Sequence, residues 1–350
     1  MLYEEALASY CKSLEIAPEY FLVWALKGSL LDRLGRHEEA IISYDKALEF
    51  NPDFDLTWHY RGNVLLKLNR YEEAVTSYDQ ALKLSPDLPD AWNDRGDALK
   101  NLGRFEEAIT SYDKAIELKP DEPDYWNNKG NTLNNLRRYE EAIVCYDKVI
   151  EINPNAYWGW YNRGNSLRNL SRYEESIPYL NRAIELKSDL PSYWNVRGLS
   201  LQGLGRYQEA IADYDQAISL DSTYRWAWCN RGNSLRFLNR YEESIISYDK
   251  AIEFKPDEPD YWCKRGISLS CLGHYQDAID SCTKAIEIKI DYAIAWYNKA
   301  CYYALQENIE QAIDDLKQAM DFNPKYREMA KTDSDFNNIR EHILFQGLIY

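Results

Sequence analysis

Basic residues are scarce in this sequence: 41 Lys and Arg stand against 57 Asp and Glu, a net charge of −16 over 350 residues. That balance argues against nucleic acid or an anionic membrane as partner, because both select basic surfaces. Long apolar runs are missing too. Nothing approaches the roughly 18 residues of a membrane span, and the N-terminus carries no signal-peptide pattern. The seven cysteines (Cys11, Cys145, Cys229, Cys263, Cys271, Cys282 and Cys301) are odd in number and include no CxxC pair. This argues against a disulfide framework or a structural zinc site and favours a reducing compartment. The four histidines (His37, His59, His274, His342) form neither HExxH nor a Cys/His pair. GxGxxG, P-loop and GxSxG elements are all lacking. The expectation is a cytoplasmic, non-catalytic chain that needs no cofactor or metal.

What the sequence has is a metre. Trp24, Trp58, Trp92, Trp126, Trp160, Trp194, Trp228, Trp262 and Trp296 stand 34 residues apart without a slip. A fixed period of this size means stacked repeats, each too small to bury its own apolar face. With Trp as position 4, repeats begin at Phe21, Asp55, Pro89, Pro123, Tyr157, Pro191, Arg225, Pro259 and Ala293. Position 8 is Gly in eight repeats and Ala300 in the ninth; position 20 is always Ala or Ser; position 24 is mostly Tyr; position 32 is often Pro. Positions 4, 8 and 11 share one face of a first helix, and positions 17, 20, 21, 24, 27 and 28 share one face of a second. Gly or Asn at position 15 in six repeats suits a left-handed turn between them. Small residues at 8 and 20 let the two helices approach, with Trp expected to fill the core beside them.

These residues resemble the tetratricopeptide repeat, with its W-x2-[LR]-G…A-x3-[FY]…A…P pattern matched in nine consecutive units. The resemblance implies an all-α, right-handed superhelical solenoid of antiparallel helix pairs, with the first helices lining a concave groove. Residues 1–20 match only a second helix (Ala6, Tyr10 and Pro18 at positions 20, 24 and 32), residues 21–326 form the nine repeats, and 327–350 read as a C-terminal capping segment. A half repeat suggests an upstream neighbour or self-association through the uncovered helix. "DFNNIREHILFQGLI" is expected to form a capping helix, with Asp333 and Asp335 as caps rather than calcium ligands, since Leu344 stands where the closing Glu would be. Arg or Lys at position 7 in every repeat faces Asp at position 25 in six, which predicts an ion-pair ladder between neighbouring units.

Function must then lie on the face that packing leaves over. Positions 2, 6, 9 and 13 lie opposite positions 4, 8 and 11, so they are expected to take no part in packing within a repeat. Asn recurs there: Asn128, Asn162 and Asn230 at position 6, and Asn131, Asn165 and Asn233 at position 9. Asn is a mediocre helix former, but its amide carries a donor and an acceptor that can pair with a peptide backbone. The resemblance implies just such an asparagine ladder for an extended peptide; a polar filler copied along a repeat expansion is the other reading. "AYWGWYNRGN" and "RWAWCNRGN" each add a second tryptophan, Trp158 and Trp226 at position 2, with Tyr161 close to the first. They are expected either to grip apolar side chains of a partner or to pack on the preceding repeat. The reading is a protein-interaction scaffold binding a peptide through Asn128, Asn131, Trp158, Tyr161, Asn162, Asn165, Trp226, Asn230 and Asn233. A regulatory module of a larger signalling, protease or kinase polypeptide, or a self-assembly module, are the alternatives.

Overall fold

In the computed structural model, which describes residues 2–350, every regular element is helical. A lone helix α1 (Leu2–Ile16) precedes nine helix pairs, from α2 (Phe21–Arg33) and α3 (His37–Phe50) to α18 (Ala293–Leu305) and α19 (Ile309–Phe322). The chain divides into two compact units, residues 1–170 and 171–350. In each, consecutive helices pack on one another in chain order. No helix is long and apolar enough to cross a membrane among the described residues.

The turn between paired helices is the predicted one, but more general. Position 15 takes a positive φ at Gly35, Asn69, Gly103, Gly205, Asn239 and Gly273, and also at Arg137 (59°), Ser171 (61°) and Glu307 (61°). The fold imposes this conformation even where the residue resists it.

The core is built on tyrosine, not tryptophan. Tyr44, Tyr78, Tyr112, Tyr146, Tyr214 and Tyr248 at position 24 are buried to 1% exposure or less. Ala or Ser at position 20 and Leu at position 11 surround them, Leu65, Leu99 and Leu235 being wholly buried. Glycine at position 8 is explained by the same ring: a Cβ on Gly62 or Gly96 would lie 2.5 Å from Cε1 of Tyr78 or Tyr112. In the ninth repeat Leu316 takes the tyrosine's place, and position 8 is there Ala300.

The nine repeat tryptophans are only half-buried, which corrects the expectation that they fill the core. Each acts as a staple. Its indole Nε1 donates to the carbonyl six residues earlier, at position 32 of the preceding unit: Trp58 to Pro52 (2.8 Å), Trp126 to Pro120 (2.9 Å), Trp228 to Ser222 (2.9 Å). That carbonyl lies just beyond the end of a second helix, where no further turn supplies it with a donor.

The ion-pair ladder is present. Arg61–Asp45, Arg95–Asp79, Lys129–Asp113, Arg231–Asp215 and Arg265–Asp249 join position 7 to position 25 of the unit before at 2.6–2.7 Å, and Arg163 pairs likewise with Asp147. The position-7 guanidinium also lies over the staple tryptophan, as Arg197 does 4.9 Å from the Trp194 ring centre.

At the C-terminus the expected single capping helix is broken in two. After α20 (Lys325–Thr332) comes a 3₁₀ turn (Ser334–Phe336), then a seven-residue helix α21 (Ile343–Ile349). Phe336, Ile339, Phe345 and Ile349 are buried in one cluster with Leu316 and Ala319 of the last repeat. Asp333 caps the 3₁₀ turn through its carboxylate; Asp335 donates the backbone N–H to that cap and is not itself one.

Candidate peptide-binding face

In unit 1 the predicted face runs along α8 (Pro123–Asn135) and α10 (Tyr157–Asn169). Pro123 at the first helical position of α8 fixes its start. Asn128 and Asn162 are half-buried, and both bond backwards. Asn128 Nδ2 donates to Asn93 Oδ1 (3.0 Å) and Asp97 Oδ2 (3.4 Å), and Asn162 Nδ2 to Asn127 Oδ1 (2.9 Å) and Asn131 Oδ1 (3.3 Å). Position 6 of one repeat is thus tied to positions 5 and 9 of the repeat before.

Position 9 reaches the core, which corrects the expectation that it takes no part in packing within a repeat. Tyr146 Oη donates to Asn131 Oδ1 (2.9 Å), Tyr78 Oη to Asn63 (2.7 Å) and Tyr112 Oη to Asp97 (2.9 Å). These bonds satisfy hydroxyls that burial would otherwise strand. Asn165 faces its own helix and accepts from Arg168 Nη2 at 2.8 Å. Trp158 and Tyr161 are half-buried on α10. Between Trp158 and Trp160 stands Gly159, where a Cβ would come within 2.6 Å of Val149 Cγ1. That close approach brings α10 down onto α9 (Tyr139–Ile152).

In unit 2 the face runs along α14 (Arg225–Phe237), where Asn230 Nδ2 donates to Asn195 Oδ1 (3.0 Å) and Tyr248 Oη to Asn233 Oδ1 (2.9 Å). Trp226 differs from every repeat tryptophan: it is 47% exposed. The Arg225 guanidinium lies 3.7 Å from its ring centre and Tyr224 meets it edge-on at 5.2 Å. The ring is held in place yet open to solvent.

The same amides therefore have one function used and one left. Their donors are engaged within the protein, while among the described residues no protein donor reaches Oδ1 of Asn128, Asn162 or Asn230. Two lysines of the first helices are likewise answered from within: Lys67 pairs with Asp32 (2.7 Å) and Lys100 with Asp97 (2.6 Å). Buried thiols on these helices are unreactive in kind, since burial pushes Cys145 and Cys229 up to about 11.

Family models for the tetratricopeptide repeat match residues 21–54, 43–76, 123–156, 157–190, 226–258 and 293–326, and a further repeat model of the same family matches 62–103, 96–136 and 203–236. The chain is a tetratricopeptide-repeat protein. Its fold is similar to a tetratricopeptide repeat protein of Parabacteroides merdae (17% identity, TM-score 0.56, covering 71% of this chain and 98% of that one). It is also similar to the APC/C hetero-tetramer Cut9–Hcn1 (14% identity, TM-score 0.54, covering 98% of this chain and 81% of that one). YrrB, a tetratricopeptide protein with an unusual peptide-binding site, aligns with 55% of this chain and 98% of its own at 22% identity and a TM-score of 0.46. Among curated proteins none matches. The tetratricopeptide-repeat fold is that of a protein-interaction scaffold.

Sequence reasoning missed position 5, where Asn93, Asn127 and Asn195 form the accepting half of the ladder. It also missed His59, whose Nε2 lies 2.8 Å from Asp94 Oδ2 of the next repeat. Position 5 always precedes the Asn stripe in the sequence, and that adjacency was the available signal.

Proposed function

We propose that this tetratricopeptide-repeat protein is a non-catalytic scaffold that holds an extended segment of a partner protein against its first helices. Each unit offers a surface of its own: α8 and α10 in unit 1, α14 in unit 2. The observation that carries the reading is Trp226, a large aromatic side chain left half-exposed yet fixed between Arg225 and Tyr224. Aromatic anchors of this kind dominate binding energetics. Beside it Asn230, and in unit 1 Asn128 and Asn162, present carbonyl oxygens for backbone N–H groups. Asn131, Asn165 and Asn233 support these from one turn along. Trp158 and Tyr161 would take apolar side chains in unit 1, as Trp226 does in unit 2.

Selection of binders from a random peptide display library on the full chain tests this. The selected peptides should carry an aromatic or aliphatic residue, and Trp226→Ala should weaken those that use unit 2 by more than about tenfold, the loss of about 2 kcal/mol expected of a hot-spot aromatic. A single Asn230→Ala change should weaken them only a few-fold, since one neutral hydrogen bond contributes about 0.5–1.5 kcal/mol. Failure to select any saturable binder, or binding that ignores both substitutions and Trp158→Ala, would refute the proposal.

A further inference from the structure

Unit 2 closes its C-terminal end around a cavity of about 360 Å³ that the peptide-binding face does not use. Two carboxylates enter it from the segment after α20, Asp333 and Asp335, and none of its lining residues is Lys, Arg or His. Asp333 is held by Tyr297 Oη, which donates to Oδ2 at 2.7 Å. The thiol of Cys301 lies 4.0 Å from the same oxygen. Arg340, on the same segment, donates to the backbone carbonyls of Lys331 and Asp333, and no bond from it to either carboxylate is formed. Neither carboxylate is paired with a cation among the described residues. Burial and the neighbouring Asp333 push Asp335 up, and burial and both aspartates push the Cys301 thiol up.

A second observation points to something bound. Tyr302, on the cavity wall, is only 4% exposed, and its hydroxyl has no hydrogen-bond partner; Nδ2 of Asn298, also on the wall, is buried without one. Buried polar groups left unmatched are rare in folded proteins and call for a reason. The Tyr302 hydroxyl oxygen can accept as well as donate, so together with the unpaired carboxylates it suits a ligand that brings a positive charge and several N–H donors. The volume is that of a small organic ligand's site rather than an ion's.

We infer that this cavity binds a primary ammonium group carried on an alkyl stem, with the ammonium between Asp333 and Asp335 and the stem along Tyr275 and Leu305. Aromatic walls with a carboxylate floor are a general solution for organic cations. The group is supplied either by a lysine side chain of a bound protein or by a free diamine. The inference uses none of the residues of the peptide-binding face, so it stands or falls apart from that proposal.

The test is a titration of the ¹⁵N-labelled full chain with N-acetyl-lysine methylamide, with the same compound acetylated on its ε-nitrogen, and with putrescine. Saturable shifts centred on Cys301, Asp333 and Asp335 are expected with at least one of the two amines, the lysine compound marking a side-chain ligand and putrescine a free one. The ε-acetylated compound should leave those signals in place. Asp335→Asn should weaken binding by about tenfold, the loss of one charge-assisted hydrogen bond, and it spares the cap made by Asp333. Should that variant disturb the C-terminal segment, Ser270→Phe fills the cavity from the preceding repeat and should also abolish binding. The inference is overturned if neither amine binds, if the acetylated compound binds equally, or if both variants bind like the parent. It is equally overturned if Co²⁺ binds with a thiolate charge-transfer band that Cys301→Ser removes and excludes the amines, which would make the cluster a metal site.

Discussion

Tyrosine at position 24 does two jobs with one side chain. Its ring fills the space that glycine at position 8 vacates, and its hydroxyl fixes the side chain at position 9. Tyr146→Phe keeps the ring and removes the bond to Asn131, leaving that amide oxygen only the longer bond from Asn162 and taking the acceptor from Asn134 Nδ2; denaturant unfolding should show a loss of about 1 kcal/mol. Gly96→Ala should cost more, about 1–3 kcal/mol, because the Tyr112 ring has nowhere to move in a filled core. The periodicity of the sequence made both residues visible as packing positions. It did not reveal the hydroxyl bond, because position 9 lies on the polar side of its helix and a tyrosine ring is long enough to reach it from below. It also misassigned tryptophan: size and regularity marked Trp as core, whereas its indole N–H tethers it to a carbonyl at the rim. Hydrophobicity alone cannot distinguish a filler from a staple.

Among the elements, the turn joining the two helices of a repeat was the most legible. Glycine and asparagine announced it in six repeats, and the same left-handed conformation recurs at Arg137, Ser171 and Glu307. There the side chain meets a steric penalty of about 1 kcal/mol that glycine would not. Arg137→Gly and Glu307→Gly should each raise stability by up to about 1 kcal/mol, measured by chemical denaturation; an unchanged or lowered midpoint for both would show that their side chains compensate. The asparagine ladder was legible only in part. Which residues form the stripe follows from helical spacing, but its bonds join positions 35 residues apart, as Asn128 to Asn93 does. Such pairing depends on how one repeat is offset on the next, which no single-helix pattern encodes. The capping segment failed as a single helix for a plainer reason: residues 337–342 put Ile339 into the core through a turn, and Arg340 fastens that turn to backbone carbonyls.

For the whole molecule, the repeated burial of tyrosine sets an alkaline limit. Burial is the leading cause that raises Tyr44, Tyr78, Tyr112, Tyr146 and Tyr248 far above the ordinary value of about 10. A group whose proton is held more tightly in the folded state contributes stability that is intact below its unfolded value and is lost as pH rises beyond it. Stability should therefore hold to about pH 10 and then fall steeply. Tyrosinate absorbance near 295 nm should lag behind that of model tyrosine until the chain unfolds; a smooth titration of all tyrosines in the folded state would contradict this. That the extra tryptophans bind a partner while the repeat tryptophans staple the fold comes down to two residues two positions apart on α14. Hydrogen exchange over residues 225–254 of Trp226→Ala and Trp228→Ala compares them directly. Protection should stay within about 0.5 kcal/mol of the parent for Trp226→Ala and fall by about 2 kcal/mol or more for Trp228→Ala, which removes both a half-buried ring and its bond to Ser222. Equal loss of protection in the two variants would make Trp226 a packing residue like Trp228 and remove it from the binding face.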